Sequence, residues 1–127
     1  MKFLKFWFPV FLYCCIIFGV SAIPSVEMPG KIPHLDKVVH ALEYGILAVL
    51  FSRAIRATSL NASLPLVFAI SLYFVVFYGI TDEFHQSFVQ GRTADFDDLM
   101  ADTIGGALGA VGYLFWQRKN NSNVLRG

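Results

Sequence analysis

Ionisable side chains set inside otherwise apolar segments are the residues of this chain that could do chemistry. A carboxylate or imidazole at membrane depth is costly unless it has a partner or a task. They fall into three groups: Lys37, His40, Glu43 and Tyr44; then Asp82, Glu83, His85 and Gln86; then Asp95, Asp97, Asp98 and Asp102, with Arg92 in the short connection before them. Six of the nine acidic residues lie between Tyr78 and Gly109, where two apolar segments would meet a membrane interface.

Helical spacing gives each group a face. Residues three and four apart are neighbours, so Lys37, His40 and Tyr44 form a stripe with Glu43 at its flank. Asp82 and Gln86 share a face, with Glu83 and His85 beside them, and Asp95, Asp98 and Asp102 follow i, i+3, i+7 along one surface. At ~1.5 Å of rise per residue, Glu43 lies about 10 Å beyond Asp36. An ionised carboxylate facing lipid at that depth costs roughly 2 kcal/mol or more. Glu43 is therefore expected to face the interior, paired with Lys37, Arg92 or His40, or protonated.

Three helix ends then converge on one polar pocket with Arg92 above it. Carboxylates this close repel, so a cation, protons, or Arg92 and Lys37 must offset them. One chemistry open to the set is ligand binding through Lys37, His40, Glu43, Tyr44, Asp82, Glu83, Gln86, Arg92, Asp98 and Asp102. In it Arg92 and Lys37 hold an anionic group, while His40, Glu43 and Asp102 orient it or move protons. The other is acid–base catalysis, with His40, Glu43, Glu83 and Asp98 as candidates, Glu83 or Asp98 as the base and His40 as the acid.

Plainer roles compete. Asp95 reads first as a helix N-cap, and Asp97, Asp98 and Glu83 read equally as interfacial charges. His85 has no second His or Cys at zinc-like spacing, so no metal and no cofactor is expected. Neither a P-loop nor an obvious nucleophile is visible. Adjacent Cys14 and Cys15 seldom meet disulfide geometry and read as buried apolar filler.

The elements that must position these residues follow from composition. The 127 residues are 56% hydrophobic and 15% charged, with a mean hydropathy of +0.58, against roughly 25% charged in soluble domains. An all-α integral membrane bundle of four transmembrane helices is expected, as one domain over residues 1–127. A net charge of +1 without a basic stripe excludes nucleic acid as a partner.

In chain order the helices are expected at about 4–23, 36–56, 64–88 and 95–117. The first could instead be a secretory signal, since Val20-Ser21-Ala22 resembles a cleavage site, but its long apolar run and Pro24 favour a retained helix. Pro24, Pro29, Gly30 and Pro33 then make an extended loop, and Asp36 caps the second helix. Arg53 and Arg56 end it, and Pro65 sits in the first turn of the third. The tail from Asn120 reads as frayed.

Lys2, Lys5, Arg53, Arg56, Arg118, Lys119 and Arg126 fall on one side, and Lys31, Lys37 and Arg92 on the other. The positive-inside rule then puts both termini in the cytoplasm and the carboxylates near the outer face. Ala101, Gly105 and Gly109 repeat every four residues, a stripe that lets another helix approach closely, in this chain or in a homo- or hetero-oligomer.

The stretches DKVVHALEYGILAVL and YGITDEFHQSFVQGRTADFDDLMADTIGGALG, about two-thirds of the chain, resemble the VanZ-like family of small multi-pass bacterial membrane proteins. The combination K-x-x-H-x-x-E-Y, D-E-x-x-Q-x-F, G-R and D-x-x-x-D/N-x-x-G carries the resemblance. By position the family's polar set falls on Lys37, His40, Glu43, Tyr44, Asp82, Glu83, Gln86, Arg92, Asp98, Asp102 and Gly105. Members often have Asn where Asp102 stands and Pro where Gln90 stands. The resemblance implies a bacterial cytoplasmic membrane protein, and the founding member is associated with low-level teicoplanin resistance.

Three functions follow as expectations. The first is binding of an envelope ligand, a lipid-linked cell-wall intermediate or a lipoglycopeptide, in an outward polar pocket among membrane lipids. The second is a membrane hydrolase or transferase acting on a lipid-linked substrate. The third is a structural partner in an envelope complex.

Overall fold

The computed structural model describes residues 1–24, 34–59 and 61–124. They form four helices, α1 (Lys2–Ser21), α2 (Leu35–Thr58), α3 (Leu64–Gln86) and α4 (Phe96–Val124), with no strand among them. Each is long and apolar enough to cross a membrane, since about 20 residues span a hydrocarbon core of ~30 Å. Most of the loop expected from Pro24 to Leu35, including Lys31, and the end of the tail, including Arg126, lie outside the described residues.

Local chemistry sets the boundaries. Ser63 caps α3 by accepting from the Leu66 N–H at 3.4 Å, and Pro65 occupies the first turn, where its missing N–H costs nothing. Asp95 caps α4, its Oδ1 accepting from the Asp97 N–H at 2.9 Å. Asp36 does not cap α2: the helix begins one residue earlier behind His34, held at φ 63°, and Asp36 sits in the first turn, where the helix dipole favours it.

Arg56 stands in the last turn of α2, which ends at Thr58, whose hydroxyl bonds back to the Ala54 carbonyl at 2.8 Å; Arg53 lies one turn earlier. The third helix stops at Gln86 rather than Phe88, and the chain turns through Gly91 at φ 77°. The fourth continues to Val124 instead of fraying near Asn120, because neither Gly nor Pro interrupts the segment after Trp116.

Helices α2 and α4 form the tightest contact. A Cβ on Gly105 would run into the Ala41 carbonyl, and one on Gly109 into that of Gly45. The small-residue stripe is thus consumed within the chain. Helix α3 packs on both, its Gly79 passing against Leu99 and Asp102. Helix α1 packs on the far side of α2 and on α3, through Trp7 edge-on to Phe51 at 5.3 Å and the Tyr78 hydroxyl donating to the Cys14 carbonyl at 2.6 Å.

Polarity is inverted relative to a water-soluble bundle. Phe8, Phe11, Leu42, Tyr73, Phe77, Leu108 and Phe115 point outward, while Ser52, Ser71, Asp82, Glu83 and Asp102 are buried. Lipid accepts the first set and cannot solvate the second. Ser52 answers this by donating to Ser71 at 2.8 Å across the α2–α3 contact. Of the two cysteines, Cys15 is exposed and Cys14 half-buried, so they are not both core filler; successive helical positions point about 100° apart, and here only Cys14 turns toward the bundle.

Candidate functional site

The end of α1, the start of α2, the end of α3 and the start of α4 meet at one end of the bundle. There the stripes on α2 and α4 face each other as ladders of matching pitch. The Lys37 ammonium lies 2.7 Å from Asp95 Oδ2 and 2.6 Å from Asp98 Oδ1. One turn deeper, His40 Nδ1 lies 3.0 Å from Asp102 Oδ1, and His40 Nε2 lies 3.9 Å from Asp98 Oδ2. Each rung works because both ladders advance by three or four residues. At the upper rung, the hydrogen bond from Lys37, reinforced by the Asp97 N–H, holds the Asp95 carboxyl below the usual carboxylate range.

A second network joins α3 to α1. Asp82 Oδ2 accepts from Ser21 Oγ at 2.9 Å and from Gln86 Nε2 at 3.0 Å. Above it the Arg92 guanidinium donates to Gln86 Oε1 at 3.2 Å and to the Ile23 carbonyl at 2.9 Å, with a longer contact to the Val20 carbonyl. Glu83, next to Asp82 along α3, belongs to the first network, its Oε2 accepting from the Asp95 N–H at 2.7 Å.

These side chains bound a pocket of about 190 Å³, lined by Asp36, His40, Gln86, Asp95 and Asp98 with the turn Gly91, Arg92 and Thr93. Beneath it Glu83 Oε1 and Asp102 Oδ2 are buried with no hydrogen-bond partner among the described residues, and the Tyr44 hydroxyl and Asp82 Oδ1 lie buried as neighbours without a hydrogen bond of good geometry. Orphans of this kind each cost about 1–3 kcal/mol when buried. On the other side of the α2–α4 contact an apolar groove of about 480 Å³ runs from Val38 past Leu42 and Gly45 to Leu50, floored by Gly105 and Gly109.

Most of the expected residues converge. Lys37, His40, Asp82, Glu83, Gln86, Arg92, Asp98 and Asp102 fall in the two networks, and Tyr44 lies below them with Asp82 and Asp102 as its electrostatic neighbours. Glu43 does not join. Lys37 and His40 turn toward α4, and Arg92 is engaged by Gln86 and the end of α1, so none pairs with Glu43. It lies half-buried, within electrostatic reach of His40, Asp82, Asp102 and Arg92 as well as of Tyr13 on α1.

His85 also stays outside, its ring stacked on Phe18 at 4.1 Å. Ser21 was not read as a site residue, because within Val20-Ser21-Ala22 a small residue is equally consistent with a cleavage site. Its only sequence signal is a hydroxyl at the end of an apolar helix.

Residues 3–117 match a family model described as VanZ/LLP1. Nearly the whole chain is covered, and the chain belongs to the VanZ-like family. No curated protein and no solved structure matches it.

Proposed function

From membership in the VanZ-like family as premise, we propose that this multi-pass membrane protein binds the polar headgroup of a lipid-linked envelope molecule at the pocket beneath Arg92. The observation that carries the reading is the pocket itself: a polar cavity of about 190 Å³ where four apolar helices end, with Arg92, Asp95 and Asp98 on its walls and Lys37 behind the two aspartates. Drug-sized ligands need roughly 300–1,000 Å³. A cavity below that range takes a headgroup fragment such as a phosphate and leaves the remainder of the ligand outside. The groove beginning at Val38, next to Lys37, is suited to an acyl chain.

The pocket faces outward in this reading, in the cytoplasmic membrane of a bacterium. Supporting it, Lys5, Arg53, Arg56 and Arg118 cluster with Phe6, Trp116 and Thr58 at the opposite end, as basic residues do on the cytoplasmic side. The founding member's association with low-level teicoplanin resistance makes a lipoglycopeptide the second ligand to test.

Lipid-resolved mass spectrometry of gently purified protein tests the proposal. Retention of one class of lipid phosphate by the wild type, lost in Arg92→Ala with membrane insertion intact, supports it. Equal retention by both proteins sinks it.

One observation favours a second reading, a membrane acid–base enzyme. Asp102 orients His40 through Nδ1, leaving Nε2 toward the pocket wall formed by Asp98. Turnover of an isotopically labelled lipid phosphate, lost in Glu83→Gln, would decide for it. A structural partner docking through Ala101, Gly105 and Gly109 is less favoured, since α2 already occupies the two glycines.

A further inference from the structure

We propose that His40 of α2, Glu83 of α3 and Asp98 of α4 form a binding site for one divalent transition-metal ion, of the class of zinc or manganese. One ligand atom from each lies within 4.8 Å of the other two. Three donors bound to a shared ion at about 2.0–2.2 Å would stand some 3–3.5 Å apart, so the site closes with inward movements of about an ångström. Spacing along the chain conceals this trio, because its members come from three helices.

Clustering of acidic groups alone would not point to a metal. Three further features do. Glu83 is 6% exposed, and with Oε2 on the Asp95 N–H its other oxygen, Oε1, is buried without a donor. A buried carboxylate oxygen with no hydrogen bond calls for a cation. Second, the hydrogen bond between His40 Nδ1 and a fully buried Asp102 leaves Nε2 as the ring nitrogen a metal would take, with loss of any proton it carries. Carboxylates support metal-binding histidines in this way.

Third, Lys37 holds Asp98 by Oδ1 alone and leaves Oδ2 on the His40 side. The local charge agrees. Asp36, Asp82, Glu83, Asp95, Asp98 and Asp102 surround the site, against Lys37 and Arg92 as permanent cations, and Arg92 is turned toward α1. A divalent cation would offset the carboxylates that Lys37 and Arg92 leave unbalanced.

One imidazole and two carboxylates make a mixed nitrogen and oxygen set. It suits zinc, manganese or ferrous iron better than calcium or magnesium, which favour oxygen alone, and it lacks the thiolates that select copper(I). Three protein ligands leave positions open toward the pocket, whose wall includes His40 and Asp98. The site stands whether or not a lipid headgroup binds.

The full-length protein, purified in detergent, stripped with chelator and reloaded with Mn²⁺ or Zn²⁺, provides the test by elemental analysis. The expected result is about one ion per chain, a loss of that ion in Glu83→Gln and His40→Ala, and wild-type loading in Asp97→Asn, whose carboxylate is exposed. Asp102→Asn is expected to weaken binding by roughly 10–100-fold without changing stoichiometry. Should the ligand variants fail to fold, pulsed EPR of Mn²⁺ on the His34→Gln and His85→Gln proteins still reads nitrogen coupling from His40. A wild type that holds no ion, equal loading in Glu83→Gln, or Mn²⁺ without nitrogen coupling overturns the proposal.

Discussion

Gly105 on α4 lies against the Ala41 carbonyl on α2 so closely that no Cβ fits between the two backbones. One turn away toward the pocket, this approach sets the separation at which Asp102 meets His40 at 3.0 Å. The glycine stripe is therefore part of the site's construction. Substituting Gly105 by Ala must push the helices apart, since the obstruction is backbone with no side chain to swing aside. Overpacking costs roughly 1–3 kcal/mol where neighbours can yield, and the loss here should reach the upper part of that range. Melting in detergent should fall clearly for Gly105→Ala and stay unchanged for Gly112→Ala, whose added Cβ meets nothing within 4 Å. Equal melting temperatures would mean that the α2–α4 contact is looser than described.

The Lys37–Asp98 pair makes a different prediction. The Lys37 and Asp98 side chains are 22% and 13% exposed, so removing Lys37 strands the Asp98 carboxylate in a poorly solvated place, whereas Lys37 keeps Asp95 when Asp98 is neutralised. Lys37→Met should destabilise more than the double variant Lys37→Met/Asp98→Asn. The coupling should lie within the roughly 0.5–3 kcal/mol typical of contacting pairs. A double-mutant cycle on thermal unfolding reads it directly, and strictly additive effects would show that the pair is solvated and independent.

The sequence made legible whatever depends on one helix at a time. Lys37 and His40 at three-residue spacing, and Asp95, Asp98 and Asp102 at three and four, define stripes before any packing is known. Their mutual approach follows from the glycines at 105 and 109. Relations that depend on how helices rotate about their axes were not legible. Glu43 sits one residue from Tyr44, yet about 100° of helical rotation leaves it without an ion pair although His40 and Arg92 are within electrostatic reach. Ser21 and Asp82 meet across 61 residues of sequence, and the His40, Glu83 and Asp98 trio spans three helices, so no spacing rule announces either.

Arg92 separates charge from geometry. Its Nε and Nη1 reach two acceptors on different elements, the Ile23 carbonyl and Gln86 Oε1, which fastens the α3–α4 turn to the end of α1. Lysine keeps the charge but not the planar fork. Arg92→Lys should therefore raise hydrogen exchange across residues 87–95 while leaving the α2–α4 contact protected. Unaltered exchange in the turn would show that charge alone is used.

Tyr44 gives the sharpest stability contrast. Its side chain is fully buried, and its hydroxyl lies beside Asp82 without a hydrogen bond of good geometry among the described residues. Deleting an unsatisfied buried hydroxyl removes a desolvation cost of about 1–3 kcal/mol, whereas deleting a bonded one strands its partner at a similar cost. Tyr44→Phe should then melt at or above the wild-type temperature. Ser52→Ala, which strips Ser71 of its 2.8 Å donor, should melt lower. A marked loss of stability in Tyr44→Phe would place a hydrogen bond on that hydroxyl, with a carboxylate of the pocket floor or with bound water as its acceptor, and would make Tyr44 a working part of the polar site.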